Sequence, residues 1–302
     1  MTPRRFEVPA CGRTLLIGDR PWLMGVVNAT PDSFSDSPSE EKTLDKRVAL
    51  AERLLLEGAD IIDIGGESGV TNKPAVDAEE ELERVVPVIE RVAAELDAVI
   101  SVDTYKPLVA RAAIEAGAVI INDVSGLRDP ELADVCAETG AALVVMHTRA
   151  KPKEKLLDAS MDGRMLADVV EFLKERIGFA VSRGVSESSI ITDPGPDFGK
   201  TPAQTVEVLR GLGEVEALGH PVLLALSRKD FIGAATGRAP REREAGTLAA
   251  LGWGAARGNH IFRVHDVAAC RDFLTVQRLL DGREELPSGA LLAEELRRES
   301  GS

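Results

Sequence analysis

Short apolar runs along this chain repeatedly end on residues that can hydrogen-bond or ionise. They are Asn28, Asp63 with Glu67, Asp103, Asn122 with Asp123, His147, Asp193, Ser227 with Lys229, and Arg263 with His265. Ionised carboxylates only accept hydrogen bonds, so Asp103 and Asp193, with Asn122, suit the N–H donors of a flat, amino-substituted heterocycle. Lys229, Arg263 and His265 suit a phosphate or diphosphate. The chain has no G-x-S-x-G elbow and no cysteine placed as a nucleophile, and "DPGPDFGKT" fails the phosphate-loop signature on glycine spacing. Taken singly, an Asp or Asn after a strand often caps the next helix. Eight coincident endings weaken that explanation. Asp63 and Asp123 alternate with better candidates and are read as facing the barrel wall, while His147 stays open between a structural and a site role.

The runs that must carry these residues read as strands: "WLMGVVN" from Trp22, "DIIDI" from Asp60, "VISVD" from Val99, "VIIND" from Val119, "ALVVMH" from Ala142, "SIITD" from Ser189, "PVLLALS" from Pro221 and "HIFRVH" from His260. Between them lie stretches of helical period such as "TLDKRVALAERLLLEG" and "AEEELERVVPVIERVAAEL", most ending near glycine. Eight βα units over about 250 residues fit a closed α/β (β/α)8 TIM barrel, whose active site lies at the C-terminal strand ends. A doubly wound dinucleotide fold would need G-x-G-x-x-G after the first strand, and "GVVNATPDSF" lacks it. Residues 1–21 read as an N-terminal extension, 22–282 as the barrel and 283–302 as a tail with a short helix. Pro87 predicts a kink or a late start in the second helix.

The 302 residues are long enough for a substantial core, and the formal net charge of −14 argues against non-specific nucleic-acid binding. An anionic ligand therefore needs a local cluster, and "SRKDF" and "FRVHDV" are the candidates. No segment has the apolar length to span a bilayer, and the start does not resemble a signal peptide, so a cytoplasmic location is expected. The three cysteines are far apart, which disfavours a disulfide framework or zinc site.

"MGVVNATPDSFSD", "DIIDIGGES", "ISVDTYKP", "INDVSG", "DPGPDFGKT", "LSRKDFIG" and "RVHDV" occur in that order and resemble the signature segments of dihydropteroate synthase, from about Leu23 to Asp281. "NATPDSFSD" together with "RVHDV" is highly specific. The resemblance implies a pterin-binding barrel, usually a homodimer, that joins 6-hydroxymethyl-7,8-dihydropterin diphosphate to 4-aminobenzoate with Mg²⁺ present. It implies that Asp103, Asn122, Met146, Asp193, Phe198, Gly199 and Lys229 hold the pterin, with Asp103, Asp193 and Lys229 as the catalytic set. Asn28, Arg263 and His265 would take the diphosphate, Asn28 at its magnesium end. Pro31, Phe34, Ser227 and Lys229 would border the aminobenzoate pocket.

The chain departs from the family pattern in four places. The family usually continues "GGES" with Thr-Arg-Pro-Gly, where the arginine meets an anion; here Gly69 and Val70 stand at the Thr and Arg positions, and Lys73 follows as the nearest cation. The first loop runs "SFSDSPSE" in place of a glycine pair. Pro196 and Asp197 replace small or apolar residues, which adds a negative charge near the pterin pocket. Arg149 and Lys151 make the loop after "MH" more basic. Two other readings stay open on sequence: a divergent pterin-binding paralogue without synthase activity, and a pterin-dependent methyltransferase.

Overall fold

In the computed structural model the described residues are 4–30, 40–67, 75–258 and 261–297. A hairpin of β1 (Phe6–Ala10) and β2 (Arg13–Ile17) comes first. Eight parallel strands follow: β3 (Trp22–Asn28), β4 (Ile61–Gly65), β5 (Ile100–Asp103), β6 (Ile120–Asp123), β7 (Ala142–Met146), β8 (Ile190–Asp193), β9 (Leu223–Leu224) and β10 (Ile261–Val264). They lie in the order β8-β7-β6-β5-β4-β3-β10-β9, and a parallel bridge between Thr192 and Val222 joins the two ends into a barrel.

Alternation along the strands sorts the core into two parts, because successive side chains point to opposite faces. Met24, Ile61, Ile120, Val144, Ile191, Leu223 and Ile261 fill the barrel interior. Their neighbours Leu23, Ile62, Ile121, Leu143, Ile190, Leu224 and Phe262 belong to the cluster packed under the helices. Each strand is buried on both faces, as expected of parallel strands covered by helices.

The helices are α1 (Glu40–Leu56), α2 (Ala78–Glu95), α3 (Pro107–Glu115), α4 (Glu131–Thr139), α5 (Met165–Ser182), α6 (Pro202–Arg210), α7 (Leu212–Glu216), α8 (Asp230–Thr236), α9 (Glu244–Ala255) and α10 (Val267–Leu280). Ten α-helices among the described residues exceed the eight expected. A short α7 follows α6, and two helices, α8 and α9, follow β9. Asp77 caps α2 by accepting from the Glu80 N–H at 2.8 Å, and the helix runs from Ala78 through Pro87, so it does not start late. None of the described helices is long and apolar enough to cross a membrane. Beyond α10 the described chain is mostly irregular, with one 3-10 turn at Glu294–Leu296.

Cys11 and Gly12, both at positive φ, make the tight turn of the hairpin, the geometry that favours two-residue connections. The hairpin turns Val8, Ala10, Leu15 and Ile17 onto the same cluster as the barrel interior, so it plugs the N-terminal mouth. Ligands are thereby left the other mouth, where the strands end. Leu15→Ala is expected to lower the free energy of unfolding by about 2–4 kcal/mol in urea denaturation. A loss below about 0.5 kcal/mol, the ordinary range for surface changes, would mean that the hairpin does not share the barrel core.

Candidate active site

The alternation that fills the barrel with aliphatic side chains also decides which strand-end residues face its open mouth. Counting in twos from Met24, Ile61, Ile120, Val144, Ile191 and Ile261 places Asn28, Asp63, Asn122, Met146, Asp193, Arg263 and His265 on the interior side. Register brings them level: Gly65 pairs with both Asn28 and Asp103, Asp103 with Asn122, and Met146 with Asp193.

At the centre, Arg263 donates from Nε to Asp63 Oδ2 at 2.7 Å and from Nη2 to Asp103 Oδ2 at 2.8 Å. Asn122 Nδ2 lies 3.3 Å from the same Asp63 oxygen, which leaves the Asn122 carbonyl oxygen to accept from a ligand. Burial works against the Arg263 charge, but Asp63 and Asp103 outweigh it and hold its pKa above the ordinary range. Burial raises the Asp103 pKa against the pull of Arg263, and the nearby Asp63 charge adds to the rise. Asp63 was expected in the wall; it is fully buried inside the barrel instead, as the hub between Arg263 and Asn122.

Asp123 and His147 fall on the other parity. Asp123 accepts from the N–H groups of Ser125 and Leu127 and holds the turn after β6. His147 is fully buried behind the barrel wall, with Nε2 3.0 Å from Asp168 Oδ2 and its ring edge-on to Phe172.

Beside the central network, Asp193 accepts from the Gly195 N–H at 2.7 Å, and burial raises its pKa to about 6. Met146 is buried next to it in register. The turn after β8 presents Phe198, whose ring centroid lies 4.5 Å from Lys229 Nζ, and Gly199 follows. Burial lowers the Lys229 pKa, while Asp197 and Asp193 pull it back up.

Next to Lys229 a cleft of about 360 Å³ is lined by Val26, Ala225, Ser227, Arg228, Lys229, Pro240, Arg241, Arg263 and His265. Among the described residues four full cations and a histidine line it, and no carboxylate does. Ser227 Oγ lies 2.9 Å from His265 Nδ1. Partial removal from water, with Arg228, Arg263 and Lys229 nearby, lowers the His265 pKa to about 4. The imidazole is therefore neutral at pH 7 in the free protein. Arg228 has a positive φ, fixed by Thr247 Oγ1 on its N–H and Arg243 on its carbonyl. Strain of this kind concentrates at functional sites.

The family described as pterin binding enzyme matches residues 24–265. A Bacillus subtilis dihydropteroate synthase is 46% identical over 246 residues, 81% of this chain and 83% of that protein. A Xanthomonas albilineans dihydropteroate synthase solved with 4-aminobenzoic acid superposes with a TM-score of 0.84 at 45% identity, covering 91% of this chain and 98% of that one. The same enzyme in complex with 7,8-dihydropteroate gives a TM-score of 0.81 at 45% identity, over 92% and 99% of the two chains. This chain belongs to the dihydropteroate synthase family of pterin-binding enzymes.

For a member of the dihydropteroate synthase family, several placements go beyond the sequence reading. Arg241 joins the cationic cleft from the segment between α8 and α9. Asp197 does not add a loose charge to the pterin side: its carboxylate accepts from Thr205 Oγ1 at 3.0 Å and from the Asp230 N–H at the start of α8. Arg149 pairs with Asp158 at 3.0 Å, outside the barrel mouth. Glu67 accepts from Val76 N–H at 2.9 Å, Tyr105 Oη at 3.2 Å and Lys106 Nζ at 3.0 Å, and pairs with Lys153 at 3.3 Å. Burial opposes its charge, but Val76, Lys106 and Lys153 hold its pKa below the ordinary range. Glu67 thus ties the two ends of the segment between β4 and α2 to each other and to the loops after β5 and β7. Pro31, Phe34, Gly69, Val70 and Lys73 lie outside the described residues.

In a histidine NMR titration of the free protein, His265 is expected to protonate near pH 4. Inorganic diphosphate is expected to raise that midpoint by about one unit or more, since a nearby anion favours the charged ring. A midpoint near the ordinary histidine value that diphosphate leaves unmoved would remove His265 from the anion site.

Proposed function

We propose that this protein condenses 6-hydroxymethyl-7,8-dihydropterin diphosphate with 4-aminobenzoate to give 7,8-dihydropteroate and diphosphate. The observation that carries the reading is the division of the barrel mouth. A buried carboxylate and amide set suits an N–H-rich ring, and it abuts a cleft whose charged lining, among the described residues, is cationic.

In this reading Asp193 and the Asn122 oxygen accept the ring N–H groups. Met146 and Phe198 cover its faces, Gly199 allows close approach, and Lys229 lies beside it. Asp103 and Asp193 stabilise the positive charge that develops on the pterin as diphosphate leaves. Arg263 gives Nε to Asp63 and Nη2 to Asp103, which leaves Nη1 for the diphosphate alongside His265. Ser227 and Lys229 border the arylamine. The arylamine attacks a cation-like carbon, so no strong general base is needed.

Mg²⁺ belongs to the proposal through Asn28. No group of three or more His, Cys, Asp or Glu among the described residues makes a metal cage. Asn28, exposed at the end of β3, offers one amide oxygen, and Mg²⁺ commonly takes few protein ligands and completes its shell from substrate phosphates and water. Once bound it would supply positive charge to the departing diphosphate. We extend the proposal to a cytoplasmic homodimer. Three free thiols suit a reducing compartment, and α10 exposes Val276 and Leu280 as apolar area for a second copy.

Incubation with dihydropterin diphosphate, 4-aminobenzoate and Mg²⁺ is expected to yield diphosphate and dihydropteroate in equal amounts. Tight pterin binding without product would point to a paralogue lacking synthase activity, and methyl transfer to a corrinoid acceptor would replace the proposal outright. Asp193→Asn is expected to weaken pterin diphosphate binding by about 10- to 100-fold, the range for a hydrogen bond to a charged group. Unchanged affinity in a direct binding titration would remove Asp193 from the ring site.

A further inference from the structure

Lys200 is among the largest side chains the fold buries, with 2% of its surface exposed. A buried ammonium is costly unless its donors are all met. None of its hydrogen-bond partners is a carboxylate: Nζ lies 2.7 Å from His147 Nδ1, 2.8 Å from the Gly195 carbonyl, 3.1 Å from the Phe198 carbonyl and 3.4 Å from the His147 carbonyl. The three donors of the ammonium are met by the three nearer acceptors, with the His147 carbonyl a longer fourth. For His147 Nδ1 to accept, the ring proton must sit on Nε2, which is 3.0 Å from Asp168 Oδ2. The protons can therefore be assigned along the whole chain: ionised Asp168, neutral His147 and charged Lys200.

The electrostatics favour a neutral His147 and an ionised Asp168, with Lys200 charged below about pH 7. Burial, then the Lys200 charge, push the His147 pKa down to about 4, while the His147 bond lowers that of Asp168. Burial lowers the Lys200 pKa to about 7, against the pull of Asp193, Asp168 and Asp197.

The two nearer carbonyls that Lys200 holds belong to the turn after β8, which carries the ring site. The Gly195 N–H donates to Asp193, and Phe198 places its ring by Lys229. Gly195 has a φ of 63°, and a Cβ there would lie 2.1 Å from the His147 carbonyl oxygen, so the turn is seated directly against His147. By strand parity His147 and Asp168 lie behind the wall and Asp193 lies inside it. Lys200 is the ion that links the two sides.

We propose that Lys200, oriented by His147 and Asp168, is a positioning residue that braces the 193–200 turn and supplies the buried positive charge behind Asp193. The proposal rests on Asp193 holding the pterin. It separates two effects of one side chain: the carbonyl bonds set geometry, and the charge keeps Asp193 an acceptor.

The test is pterin diphosphate affinity from pH 5 to 9, without 4-aminobenzoate, for the full-length wild type, Lys200→Met and Asp168→Asn. Asp193 is faced by Lys200, Lys229 and Arg263; Lys200 by His147, Asp193, Lys229, Asp168 and Asp197; and His147 by Lys200, Asp168 and Arg149. Wild-type binding is expected to weaken as pH falls through about 6, as Asp193 takes a proton. In Lys200→Met the acid limb is expected to move up by about one unit, so that binding is about tenfold weaker than wild type near pH 5, about twofold weaker near pH 7 and recovered toward pH 9. Asp168→Asn, a change at a partly exposed position, is expected to shift the limb the same way by less, and it carries the test if Lys200→Met fails to fold. Loss that is equal at every pH, or unshifted limbs in both variants, would overturn the proposal while leaving the pterin site standing. A wild type that binds no pterin diphosphate would overturn both.

Discussion

One guanidinium forked between two carboxylates governs the mouth of this barrel. Below it the interior is aliphatic, from Met24 and Ile61 round to Ile261. In such surroundings Arg263 needs Asp63 and Asp103, and removing one partner of a buried pair typically costs about 3–5 kcal/mol. Two carboxylates against one arginine leave a negative balance, and Asp193 adds to it. Desolvated negative charge of this kind favours a ligand rich in N–H groups and a transition state that becomes positive. The cations of the cleft, Arg228, Lys229 and Arg241, lie on the β9–β10 side of that negative ground.

The fold was legible because short apolar runs and helical stretches alternate along most of the chain, and the polar strand endings were legible for the same reason. Which way each ending points was not read from the runs, although parity would have settled it. Asp63 lies two residues after the interior Ile61, whereas His147 lies three after Val144. Counting in twos from the apolar interior therefore sends Asp63 into the mouth and His147 behind it. Helix number was less accessible, since a break at Gly211 and the short α8 leave little periodic signal. Pro87 sits in a helix that continues through it, so packing of the buried Val85, Val88, Ile89 and Val92 outweighs the local penalty.

Residues whose meaning depends on a distant partner were out of reach. Lys200 reads as one more charge before a helix until His147, 53 positions earlier, is brought against it. Asp197 reads as a charge near the pterin until Thr205 and the first turn of α8 are seen to take up its oxygens. In both cases the βα loops meet at the top of the barrel, and no local pattern encodes which loops touch.

The same distinction bears on the segment that follows "GGES". Its residue identities at Gly69 and Val70 differ from the family pattern, yet its two ends are fixed by Glu67, which reaches Val76, Tyr105, Lys106 and Lys153 together. A carboxylate with that many donors stays ionised, and Lys106 is shared with the buried Glu81 of α2. The anchorage of the segment is therefore set by residues outside it. Glu67 and Val76 make these contacts without any part played by positions 69 and 70. Loss of the arginine and retention of the site frame are thus physically independent.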